Sequence, residues 1–138
     1  MLIVTLAIAV RRRFAFPERL PQPSNFFRTM IDEREYDERA TPELRALVDA
    51  LDALDSDDFD AELSADILSI EFPDGAKYVV NSHRAARQIW MAAERSAWHF
   101  DFDAKTGSWL ASKTGEELWS TLSRALTSKL GRPVALRN

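Results

Sequence analysis

Apolar residues change their spacing twice along the chain, and the two changes limit the folds open to it. Leu44, Leu47, Val48, Leu51 and Leu54 fall on one helical face, with Asp49, Asp52 and Asp55 off it. Past Asp58 the spacing alternates: Leu68, Ile70 and Phe72 point one way, Ile67, Ser69 and Glu71 the other. Pro73-Asp74-Gly75 predicts a turn and Tyr78-Val79-Val80 the hairpin partner. Gln88 to Ala93, Trp98 to Asp103 and Ser108 to Ala111 follow as strands, with Lys105-Thr106-Gly107 as the last tight turn. Helical spacing then returns through Leu118, Leu122, Ala125, Leu126 and Leu130. The fold class that follows is α+β, a two-layer sandwich. An N-terminal helix and a C-terminal helix both cover one face of an antiparallel meander of about six strands, and the other face stays open.

The helix ends carry their own signals. Thr41-Pro42-Glu43 predicts the start of the first helix, with Thr41 as N-cap and Pro42 at the first helical position. Residues 32–40 extend that helix upstream only if Pro42 kinks it. Thr114-Gly115-Glu116-Glu117 predicts a capping box for the second helix, and Gly131 and Pro133 stop it.

At 138 residues the chain has about one domain's worth of sequence. It has no cysteine, which removes disulfides, zinc–thiolate sites, thiolate-held clusters and cysteine nucleophiles. Two histidines, His83 and His99, are too few for a three-histidine metal site. The formal charge of -4 argues against a nucleic-acid partner. That charge is unevenly spread. Residues 30–74 hold sixteen acids against three arginines, a balance of -13, while residues 1–29 and 75–138 are both net positive.

Residues 1–29 read as an N-terminal extension outside the fold, and 30–138 as the domain. Met1 to Val10 is apolar, but Arg11-Arg12-Arg13 follows it where a secretory signal carries its charge in front. Ten residues are also too few to span a bilayer. Pro17, Pro21 and Pro23 then break regular structure. A membrane-surface anchor is the other reading of this segment.

The acidic block contains the first candidate site: Asp49, Asp52, Asp55, Asp57, Asp58, Asp60 and Glu62. Dense carboxylates repel one another, and a hard cation taking oxygen ligands relieves that repulsion. A solvated face that keeps the chain soluble is the alternative. An EF-hand is excluded, since counting from Asp55 puts Phe59 and Asp60 where a ligand and a glycine are needed. The second candidate is Asn81 with Gln88 and Trp90. If Ile89 and Met91 face the helices, Trp90 faces outward as a contact anchor. If the register is inverted, Trp90 is a core residue. His99 and Asp101 share a strand face and read as a surface hydrogen bond, and His83 beside Arg84 and Arg87 as part of a basic loop. No hydrolase or phosphate-loop signature is present, so the chain does not read as an enzyme.

Taken in order, Asp58-Phe59-Asp60-Ala61-Glu62, Ile70-Glu71-Phe72-Pro73-Asp74-Gly75, Val79-Val80-Asn81, Gln88-Ile89-Trp90-Met91-Ala92 and Trp98-His99-Phe100-Asp101-Phe102, then Trp109 and Thr114 to Trp119, resemble the frataxin family. The likeness is strongest to its bacterial, CyaY-type members and covers roughly residues 35–134. Two features depart from that family: Pro42 inside the first helix, and the extension 1–29. The resemblance implies a protein of iron–sulfur cluster assembly that binds ferrous or ferric iron weakly. The matching ridge is Asp49, Asp52, Asp55, Asp57, Asp58, Asp60 and Glu62. It also implies that Asn81, Gln88 and Trp90 contact a cysteine desulfurase and a scaffold protein. A cytoplasmic location is expected, with no membrane and no nucleic acid as partner. A monomer is expected without metal and an iron-dependent oligomer with it. A pure interaction regulator with incidental metal binding is the alternative. A ferroxidase-like oxidation of ferrous iron is a weaker one.

Overall fold

The computed structural model describes residues 31–137; the segment 1–29, expected outside the fold, lies outside the described residues. Helix α1 (Glu33–Ala53) precedes strands β1 (Asp60–Ser64), β2 (Ile67–Glu71), β3 (Lys77–His83), β4 (Gln88–Ala93), β5 (Ser96–Asp103) and β6 (Ser108–Ala111), and helix α2 (Leu118–Leu130) closes the chain. The six strands lie side by side in chain order, each antiparallel to the next. This is the expected helix–meander–helix sandwich.

One face of the sheet makes the core. Leu68, Val80 and Met91 stand opposite one another across β2, β3 and β4, and Ile89 stands opposite Phe100. Against them pack Tyr36, Ala40, Leu44, Leu47 and Leu51 of α1 and Leu118, Trp119, Leu122 and Leu126 of α2, all buried. Trp109 of β6 is wedged edge-on between Tyr36 and Phe102, with ring centroids 5.9 and 5.4 Å away. The two helices are also tied to each other. The indole N–H of Trp119 donates to Glu43, whose carboxylate pairs with Arg137 at 3.1 Å. The Arg137 guanidinium lies 4.1 Å from the centre of the Trp119 ring.

Both helix starts differ from expectation. Helix α1 begins at Glu33, capped by the Asp32 carboxylate accepting from the Glu35 amide at 2.8 Å, and it runs through Pro42. Pro42 deprives the Glu38 carbonyl of its donor, but burial of Tyr36 and Ala40 before it and Leu44 after it holds both flanking turns to the sheet. The Thr41 hydroxyl caps nothing; it donates to Asp66 at 3.1 Å. For α2 the cap is Glu117, accepting from the amides of Trp119 and Ser120, both at 3.0 Å. The box expected at Thr114 fails because this stretch is still engaged with β6: the Ala111 amide donates to the Glu116 carbonyl, and Leu110 bridges Glu117. Gly131 ends α2 in the left-handed conformation, as expected.

The β1–β2 turn is made by Ala65 and Asp66, both left-handed at φ 52° and 61°. Tight hairpins ask for this geometry but usually place Asn or Gly there. Asp66 is held on both sides, by the Thr41 hydroxyl and by the Ser82 amide on its carbonyl.

Candidate functional site

The seven ridge carboxylates follow one another from the end of α1 into β1. Asp49 and Asp52 lie on α1, Asp55 just past it with a left-handed backbone (φ 49°), Asp57 and Asp58 in the loop, and Asp60 and Glu62 on β1. All seven are exposed. Cross-strand register sets Asp60 opposite Glu71 and Glu62 opposite Ser69, so Asp60 and Glu62 sit on the open face of the sheet, away from the helices. Asp58 is already engaged. Arg132 pairs with it at 2.8 Å and also reaches the Ser56 hydroxyl, and this guanidinium holds the Asp58 carboxyl below the usual carboxylate range. The other six form no ion pair among the described residues. Nor do three His, Asp or Glu side chains converge on one point among the described residues. The donor set is therefore hard oxygen ligands strung along a ridge, not a cage. A cation held there keeps most of its water.

The second candidate group lies on the open face. Ile89 and Met91 are buried, so β4 has the expected register and Trp90 points outward. It is not bare, however. Asn81, Trp90 and His99 stand side by side across β3, β4 and β5. The Trp90 ring lies between two imidazoles: His83 at 3.7 Å and His99 at 4.2 Å between centroids, each within 12° of parallel. The indole N–H donates to the Gln88 side-chain oxygen at 2.8 Å, and the Gln88 amide donates to Asp101 at 3.0 Å. Gln88 thus fixes the indole edge while Asp101 fixes Gln88. Asn81 donates its side-chain amide to the Ser82 carbonyl at 2.9 Å.

Two expectations change here. His83 is not in a basic loop but is the last residue of β3, on the same face as Asn81. Asp101 bonds Gln88 rather than His99, leaving the His99 ring to stack on Trp90. Alternation from Asn81 to His83 carries the signal for the first of these. The stack itself depends on which residues of β3, β4 and β5 stand opposite one another, and spacing within a strand does not report that.

A frataxin-like domain model matches residues 29–132. The chain belongs to the frataxin family. It is 36% identical over 94 residues to the iron–sulfur cluster assembly protein CyaY of Thioalkalivibrio sulfidiphilus, covering 67% of this chain and 88% of that one. Among solved structures, frataxin from Psychromonas ingrahamii superposes with a TM-score of 0.70 at 20% identity, over 78% of this chain and 100% of that one, a likeness of fold. Trimeric frataxin from the yeast Saccharomyces cerevisiae, solved complexed with ferrous iron, gives a TM-score of 0.60 at 27% identity, over 68% of this chain and 87% of that one. Among the described residues of this frataxin-family chain, no helix is long and apolar enough to cross a membrane.

Proposed function

We propose that this protein is an iron-binding accessory protein of iron–sulfur cluster assembly, acting in the cytoplasm and not itself an enzyme. Iron is held weakly on Asp49, Asp52, Asp55, Asp57, Asp58, Asp60 and Glu62. Asn81, Gln88 and Trp90 contact a cysteine desulfurase and its scaffold protein. The CyaY relative's role in cluster assembly and the ferrous complex of the yeast relative support the assignment. The observation that carries it is the continuity of the two candidate groups. Asp60 and Glu62 share the open face with Trp90, three strands away and two to four residues along from Ser64, which stands in line with it, or roughly 16–20 Å at the usual strand spacing and rise. One partner surface spans that distance, so iron on the ridge sits at the rim of the docking contact. Titration with ferrous iron, followed by amide NMR, is expected to perturb residues 49–62 first. Perturbation confined to His83 and His99 refutes the assignment.

A second reading is favoured by the lack of a convergent ligand set among the described residues and by the engagement of Asp58 with Arg132. On that reading the ridge docks electrostatically onto a basic patch of the desulfurase, and metal binding is incidental. Desulfurase activity with and without this protein, in the presence of a chelator, separates the two. An effect that survives chelation supports the interaction reading.

A further inference from the structure

The open face carries two titratable rings that the proposed function does not use. His83 and His99 cover opposite faces of one indole, at 3.7 and 4.2 Å. Their centres are too far apart to share a metal ion, because a tryptophan ring separates them. Imidazole is the side chain whose ordinary charge change falls between about pH 5 and 8. An imidazolium stacked on an indole is held by the negative face of the ring, so protonation does not require the stack to open. We propose that the His83–Trp90–His99 stack is a proton switch on the docking face, and that protonation of its imidazoles weakens docking of a basic partner. The proposal rests on the reading of the open face as a docking surface.

The kind of partner follows from the rim. Exposed Asp60 and Glu62 belong to the same face and select a partner with basic side chains. Protonating the stack sets up to two positive charges against that partner and removes two neutral rings from what it covers. Several of the other groups near the stack are already committed. Arg84, after β3, pairs with Glu33 and Asp37 of α1. Tyr36 donates to the Gln88 carbonyl, and Asp66 of the β1–β2 turn accepts from Thr41. Asp101 accepts from Gln88. Lys113 lines a shallow hollow with His99, and Arg87 follows His83 on the same turn. One nitrogen of His83, Nδ1, and the Nε of Arg87 are shielded from solvent with no hydrogen-bond partner among the described residues.

The test uses the whole chain. In the protein alone, lowering the pH from 8 to 5 is expected to move the Trp90 indole N–H resonance in step with the His83 and His99 ring resonances. A Trp90 signal that ignores both rings overturns the proposal. Docking is then measured against the desulfurase and scaffold of the same genome, at pH 8 and pH 6 and constant ionic strength, for the natural chain and for a His83→Gln, His99→Gln double variant. Melting of the variant first establishes that it is folded. The natural chain is expected to lose affinity about fivefold more than the variant, the size of two exposed charge contacts. Equal losses overturn the switch but leave the docking face standing. No binding by either chain at pH 8 overturns the docking reading, and the switch falls with it.

Discussion

Trp90 and Trp109 offer the same substitution on opposite faces of one sheet, and the structure assigns the two very different costs. Trp109→Ala empties a position that is 1% exposed and lined by Tyr36 and Phe102; such truncations in a core cost about 3–5 kcal/mol. Trp90 is more than half covered, but its cover is two imidazoles and not the core. Burying about two-thirds of a ring of roughly 200 Å² at about 25 cal/mol per Å² gives about 3.3 kcal/mol, with no core cavity to add to it. A compact unfolded state lowers that to about 2.5 kcal/mol. The hydrogen bond from the indole to Gln88 adds little, because water reaches the exposed amide that remains. For a domain of this size, Trp90→Ala is therefore expected to lower the melting temperature by roughly 10 °C and Trp109→Ala by about one and a half times as much. Partner affinity orders the two the other way. Measured well below both melting temperatures, Trp90→Ala loses about 2 kcal/mol of binding, whereas folded Trp109→Ala keeps it. A melting loss for Trp90→Ala equal to that for Trp109→Ala, or unchanged binding to both partners, refutes the outward assignment.

Three further outcomes follow from local geometry. Ala65→Gly is expected to raise stability by about 0.5–1 kcal/mol in denaturant melts, because glycine takes the left-handed φ of 52° without a Cβ penalty. The Asp58 carboxyl is depressed in the fold by Arg132, so the stability it contributes is present above its unfolded value and is lost as pH falls through the folded one. Arg132→Ala is expected to move the Asp58 carbon resonance titration upward, and added salt to do the same in part. The chain's two tyrosines, Tyr36 and Tyr78, both have hydroxyl groups pushed up by burial, with Glu94 reinforcing the effect at Tyr78. A raised value means that this stability is complete below the unfolded phenol value and lost as pH rises toward the folded one. Phenolate absorbance is therefore expected to appear together with loss of circular dichroism, and ionisation of either tyrosine in a folded chain contradicts the burial.

Where one local rule sufficed, the sequence was readable. Alternation and Pro73-Asp74-Gly75 located the β2–β3 hairpin, whereas alternation in β4 allowed either facing until the burial of Ile89 and Met91 decided it. The exposure of the seven carboxylates was legible from charge alone. Rules that compete with tertiary contacts misled. Pro42 marked a helix start by propensity, yet burial of Tyr36 and Ala40 carries α1 upstream through it. Thr114 and Glu117 have capping-box spacing, but pairing with β6 keeps Thr114 to Glu116 out of the helix. The histidine stack needed three strands in register, information that no single segment contains.

The sequential meander also orders events during synthesis. Helix α1 leaves the ribosome before the sheet, yet Trp109, Trp119 and Arg137, which complete its packing, come 73 to 101 residues after Tyr36 or between 76 and 94 after Glu43. Each hairpin of the sheet pairs only with its chain neighbour and closes a short loop. The nascent chain thus forms its strands from β1 onward as they emerge, while the apolar stripe of α1 has only a partial sheet to rest on until β6 and α2 arrive. The segment from Leu118 to Arg137, made after the sheet, is the latch, and a ribosome stalled before it holds a nearly complete sheet with an unsealed helix.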